Sequence, residues 1–241
     1  MCEQGYHGVV RCALGWACWK TYLGRPETDE ALNLSMNVLG NGLYEAGQAE
    51  DALSVQEAEW SILRRIGASA DRILGVQGNL AMSYEDLGRL EPALRLKRDV
   101  YFGRLMLNGE EHSDTLASAS NYVVGLFTLE RFEEGKSLLR KSTPVARRLL
   151  GDNNEITLRM RWIYAQSLFK DPDATLDDLR EAVTMLGEIE PTTRRVLGGA
   201  HPLTSIIERE LRQARNRLAA REGDDVSSVC DGVAAMTAKG A

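Results

Sequence analysis

Residues 74–93 read LGVQGNLAMSYEDLGRLEPA, and their spacing decides the fold. Leu80, Ala81, Tyr84 and Leu87 fall three and four residues apart, on one face of a helix. Gly88 follows, where a helix end favours a residue that tolerates positive φ. Pro92 stands early in the next helix, where its missing N–H costs little, and Ala93 is small enough for close helix packing. The stretch is therefore a helical hairpin. One hairpin of this size cannot bury its apolar face alone, so it needs neighbours of the same kind.

Those neighbours recur at a period close to forty-two residues. Leu32, Leu74, Leu116 and Leu158 are equally spaced, as are Gly67, Gly109 and Gly151. Asn79 recurs as Asn121, Gly88 as Glu130 and Ala93 as Gly135. Upstream, Gly47 and Ala52 precede Gly88 and Ala93 by forty-one. Downstream, Arg147, Gly151 and Thr157 return as Arg194, Gly198 and Thr204, forty-seven on. The five added residues fall in FKDPDATLDD (169–178), a Pro- and Asp-rich lengthening of one turn. Repetition at this period specifies an all-α solenoid of helical hairpins.

The pattern divides the chain into a flexible N-terminus (1–8), a repeat solenoid (9–221) and a disordered tail (222–241). Val9 to Leu23 reads as the second helix of a repeat whose first helix is missing, with Trp16 and Trp19 on one side of it. Four full repeats follow, over about 29–67, 70–108, 113–150 and 154–197, and a capping helix over 203–220. Pro144 lies inside the second helix of repeat three, where it removes a backbone donor and should bend or loosen that helix. EGDDVSSVCDGVAAMTAKGA, from Glu222 on, shows no amphipathic period.

Composition narrows the function classes. The net charge of −6 argues against a nucleic-acid partner. No apolar run reaches eighteen residues, so no membrane span is expected. An Arg lies inside the short apolar start and no clean cleavage site follows, so no signal peptide is expected and a cytoplasmic protein is the expectation. Cys2, Cys12, Cys18 and Cys230 lack the spacing of a zinc site or a disulfide framework and read as reduced thiols. His112 and His201 stand just before helix starts, which is turn chemistry. Glu133/Glu134 and Asp177/Asp178 are adjacent, cannot face one another across a substrate, and suit the start of a second helix. No nucleophile, base and orienting group assemble. A non-enzyme with no metal and no cofactor is expected.

The hairpin motif, Leu-(Ala/Gly)-x-x-(Tyr/Leu), then Gly, then Ala five on, resembles the tetratricopeptide repeat, whose usual period is about thirty-four. The longer period, the boundary LGGAHPLT (197–204) and Asn-Leu-Ala (79–81) resemble the tetratricopeptide domain of kinesin light chains over about residues 10–220. Asn121 is followed by Tyr122, and Ile163 replaces the Asn in repeat four. No heptad stretch accompanies the repeats. The resemblance implies a right-handed superhelix and a scaffold with an adaptor-like role.

In such a solenoid the first helix of each pair lines the concave face. Positions off the packing stripe select Asn37, Asn41 and Glu45 in repeat one, and Asn79, Met82, Glu85 and Asp86 in repeat two. They select Ser120, Asn121, Val124 and Thr128 in repeat three, and Arg159, Trp162, Gln166 and Lys170 in repeat four. The cap helix adds Arg209, Gln213 and Arg217. Asn both donates and accepts, so it can hold a peptide backbone without dictating its sequence. In tetratricopeptide grooves Asn residues play that part, and Asn79 and Asn121 match the motif position. Charge runs from acidic early to basic late, which predicts a protein or peptide ligand with its acidic end toward repeat four. The alternative is an ordinary solvated face. A second function class is self-association through the open N-terminal end bearing Trp16 and Trp19.

Overall fold

A computed structural model describes residues 3–239, with side chains described over 8–223. Cys2 and the last two residues of the expected tail lie outside it, as do the side chains of His7 and Cys230. Among the described residues there are ten helices and no strand. They are α1 (Glu3–Tyr22), α2 (Glu30–Glu45), α3 (Ala49–Arg65), α4 (Ala70–Asp86) and α5 (Leu90–Asn108). The rest are α6 (Ser113–Thr128), α7 (Phe132–Leu150), α8 (Glu155–Lys170), α9 (Leu176–Leu197) and α10 (Pro202–Lys239). The chain forms two compact units that divide between Leu129 and Glu130. The fold is an all-α solenoid of helical hairpins.

In the N-terminal unit each helix packs on the next in the chain, from α1 to α6, and α2 also touches α4. The α1–α2 contact is closed by glycines. A Cβ on Gly42 would lie 2.6 Å from the backbone nitrogen of Cys12, and one on Gly15 would lie 2.6 Å from the Cα of Leu39. Gly8 faces the carbonyl of Glu45. The pairs 8–45, 12–42 and 15–39 run in opposite orders, so the two helices are antiparallel and nearly backbone to backbone. Trp19 and Cys12 then reach the cluster of Leu39, Leu43 and Ala52. The next layer is Leu53, Leu63, Val76 and Leu80, with Trp60 and Tyr84 against it.

In the C-terminal unit α9 packs on α8 and α10 packs on both. Leu158, Leu168 and Phe169 of α8 meet Leu179, Leu186 and Ile189 of α9 and Leu203, Ile207 and Leu211 of α10. The lengthened turn is made rigid by a capping box. Thr175 accepts from the Asp178 backbone, and the Asp178 carboxylate accepts from the Thr175 backbone at 2.8 Å.

Several turns follow from single residues. Gly88 takes φ of +71° and closes α4, and Gly47 does the same for α2 at +77°. The third copy of that turn has Glu130, which adopts φ of +58° without glycine's freedom. His112 and His201 each accept a backbone N–H through Nδ1, from Asp114 and Leu203, both at 3.2 Å. Both histidines are helix caps. Pro144 is accommodated within a continuous α7, and Pro191 stands forty-seven residues on inside α9.

Two spans differ from the sequence reading. Helix α1 begins at Glu3, inside the stretch expected to be flexible, and α10 continues to Lys239 through the stretch expected to be a disordered tail. Residues 222–239 contain no proline and only two glycines, so nothing in the backbone ends the helix.

Candidate functional site

On α2, Asn37 and Asn41 are half-buried and bonded to each other, Asn41 donating at 3.2 Å. Asn37 also hydrogen-bonds Glu59 of α3. Glu59 is 2% exposed, and its Oε2 has no hydrogen-bond partner. Burial pushes its carboxyl up to about 7, against the opposing pull of Asn37 and of the Arg72 charge on α4. Tyr44 links α2 to α4 through a hydrogen bond to Asp86. Burial, first, and then the charge and hydrogen bond of Asp86 push its phenol up to about 12.

On α4, Asn79 is half-buried and Met82 is 42% exposed. An exposed methionine between buried Ala81 and Ser83 presents a soft, adaptable apolar contact. Glu85 accepts from the buried Lys97 of α5 at 2.6 Å, and Ser83 donates to Gln56 at 2.8 Å. On α6, Asn121 is exposed, Val124 is half-buried, and the exposed Thr128 bonds back to the Val124 carbonyl. Ser120 belongs to the packed face instead. It is 1% exposed, between buried Ala119 and the next turn's Val123, and offers nothing to a groove.

The C-terminal unit uses its expected site residues differently. Trp162 Nε1, Gln166 Nε2 and Lys170 Nζ, one turn apart on α8, all donate to the carboxylate of Glu210 on α10. The distances for Gln166 and Lys170 are 2.7 and 2.8 Å, and Glu210 is 1% exposed. Arg217 donates to the carbonyls of Phe169 and Asp171 and so satisfies the C-terminal end of α8. Lys170, Gln166, Trp162 and Arg217 thus fasten the last helix. Arg209 and Gln213 are exposed, and Arg159 is half-buried.

Sequence reasoning missed Glu59 and Glu210, and a signal for both exists. Ala52, Gln56, Glu59 and Leu63 fall on one helical stripe, as do Leu203, Ile207, Glu210 and Ala214. A carboxylate on an apolar stripe must be buried and partnered. The same logic exposes Lys136, 5% exposed and held by Asp171 at 2.6 Å. Among the described residues no three His, Cys, Asp or Glu side chains gather as a metal ion requires. No helix among them is long and apolar enough to cross a membrane.

No protein-family model and no curated protein matches the sequence. Solved structures do resemble the fold. A Podospora anserina kinesin-light-chain-type protein with nearly identical tetratricopeptide-like repeats is 21% identical at a TM-score of 0.63, over 86% of this chain and 95% of that one. BtubC (BKLC) from P. vanneervenii is 14% identical at a TM-score of 0.59, over 92% and 94%. The apo form of RapI is 13% identical at 0.55, over 90% and 85%. The fold is that of tetratricopeptide-like repeat proteins, kinesin-light-chain-like ones among them.

Proposed function

We propose that this chain is a non-catalytic, cytoplasmic protein–protein interaction scaffold that holds an extended partner peptide against the first helices of its N-terminal unit. The observation that carries this reading is the character of the positions left over from packing on α2, α4 and α6. They present amides at half-buried Asn79 and exposed Asn121, with Asn37 and Asn41 bonded to each other beside them, and soft apolar contacts at exposed Met82 and half-buried Val124. Amides that donate and accept suit a peptide backbone, and Met suits varied side chains. An adaptor-like role for the groove is part of the same proposal.

The expectation that the partner's acidic end meets repeat four rests on exposed Arg209, because Lys170 and Arg217 serve Glu210 and the end of α8. Trp162 and Gln166 are committed to the same carboxylate. The N-terminal unit therefore carries the recognition in this proposal. Its test is peptide-array binding with the wild type and Asn79→Ala/Asn121→Ala. A peptide family that the double variant loses, with helical circular dichroism unchanged, supports the groove. Equal binding by the variant removes it.

One observation favours a second reading. On α1, Val9 is 62% exposed and Trp16 41%, seven residues apart on one face, an apolar surface consistent with stacking on another copy. Light scattering across a dilution series separates the two readings, since only stacking makes the mass depend on concentration.

A further inference from the structure

In the C-terminal unit a cavity of about 340 Å³ opens between α7, α8 and α9 beside Pro144. Proline has no N–H, so the Arg140 carbonyl one turn earlier lacks its helical partner there. Leu139, Pro144 and Met185 give the cavity an apolar wall. The rest of its lining is rich in donors: the guanidiniums of Arg140, Arg147 and Arg161, and the Tyr164 phenol. Glu188 is the one carboxylate in the lining, with Asp152 on Arg147 and Glu133 and Glu181 near Arg140 outside it.

The present partners of those arginines are replaceable. Arg140 hydrogen-bonds the Tyr164 phenol. Arg161 holds Glu188 at 2.7 Å and Arg147 holds Asp152 at 2.6 Å. Those carboxylates are 60% and 56% exposed; the Arg147 pair is solvated on both sides and contributes little, and Glu188 reaches the 15% exposed Arg161 from the solvent side. Thr143, also in the lining, has a hydroxyl closed off from solvent without a hydrogen-bond partner. Arg161 and Tyr164 lie on the side of α8 away from Trp162 and Gln166, by the hundred-degree step of the helix. This cavity therefore lies on the other side of α8 from the Glu210 cluster.

We propose that this cavity is a second binding site, which takes from a protein partner a side chain with an apolar body and a terminal oxyanion. Guanidinium groups bind carboxylate or phosphate oxygens through paired N–H donors, which a lysine cannot match. The body of the side chain lies against Leu139, Pro144 and Met185, and its oxyanion displaces Glu188 from Arg161 while meeting Arg140.

The test is NMR titration of the full chain with phenyl phosphate, phenylacetate, inorganic phosphate and benzylamine. Phenyl phosphate and phenylacetate should shift the signals of Thr143, Tyr164 and Met185, and the tighter of the two tells phosphate from carboxylate as the group recognised. Arg140→Gln should weaken binding about tenfold or more, the loss of one charge-assisted contact. Glu188→Gln should tighten it several-fold, because it removes the competing carboxylate. That second variant keeps the proposal testable if Arg140→Gln fails to fold. Benzylamine binding at the same signals, inorganic phosphate binding as tightly as phenyl phosphate, or weaker binding in Glu188→Gln would each overturn it. Asn79→Ala/Asn121→Ala should leave this binding unchanged, so the cavity and the groove fail independently.

Discussion

The glycine seam between α1 and α2 gives one substitution two opposite outcomes, depending on where it is made. Gly42→Ala places a Cβ 2.6 Å from the Cys12 nitrogen, 2.7 Å from the Arg11 carbonyl carbon and 2.8 Å from its oxygen. All three are backbone atoms that cannot rotate aside, so α1 must move by most of an ångström to restore contact distance. Such overpacking costs about 1–3 kcal/mol. Alanine returns about 1 kcal/mol of helix propensity relative to glycine. Gly78→Ala, within α4, meets nothing within 4 Å and keeps only that return. The two variants should therefore differ by about 1–3 kcal/mol, or roughly 4–15 °C in Tm at the usual conversion for a unit of this size. Gly15→Ala, whose Cβ meets the Leu39 Cα at 2.6 Å, should behave like Gly42→Ala. Thermal melts by circular dichroism read the difference, and hydrogen exchange reads where it arises: α1 amides should lose protection in the two seam variants alone. If Gly42→Ala and Gly78→Ala shift the melt alike, with α1 protection unchanged, the close-packed seam is refuted.

Glu59 makes the N-terminal unit sensitive to pH. Its folded-state carboxyl titrates at about 7 against an ordinary 4.5, so its contribution is full below 4.5 and is lost as pH rises through 7. Denaturant melts should show about 3 kcal/mol less stability at pH 8 than at pH 4.5 from this group, and Glu59→Gln should flatten that slope. Glu130→Gly relieves a left-handed conformation at φ of +58° and should raise stability by about 1 kcal/mol, where an unchanged or lower melt argues against strain. Glu210→Ala leaves Gln166 and Trp162 without their acceptor while the 44% exposed Lys170 can turn to solvent, at a cost of about 1–3 kcal/mol for buried donors left unpaired. Trp162 fluorescence should shift to the red and α10 amides should exchange faster; wild-type exchange would contradict the fastening.

Helices α2 to α9 were legible because each keeps a face of small and aliphatic residues in step with the 3.6-residue turn, and because Gly47 and Gly88 mark their ends. The helical period selects Asn37, Asn79, Met82 and Asn121 as off-stripe positions of first helices, and the first two are half-buried and the last two exposed. The roles of Trp162, Gln166 and Lys170 were not, since their face on α8 meets Glu210 forty or more residues away, and no local period announces that pairing. Ser120 misled because small hydroxyl residues suit a packed face as well as an open one. Gly8, Gly15 and Gly42 were unreadable for a related reason. A glycine inside a helix signals close approach only when the helix that approaches it is known. The Pro144 anomaly was visible in the chain, but the cavity beside it depends on Arg161, Tyr164 and Met185 from two other helices.

Fastening by the last helix also has a consequence for the order in which the protein is made. Synthesis delivers α8 and α9 before α10, so at that moment Leu158, Leu168 and Ile189 lack Leu203, Ile207 and Leu211. The carbonyls of Phe169 and Asp171 still lack Arg217. A nascent C-terminal unit therefore exposes both apolar surface and unsatisfied backbone until residues 202–221 clear the ribosome. The interval between α9 and α10 emerging is the stage at which a holding chaperone has most to bind.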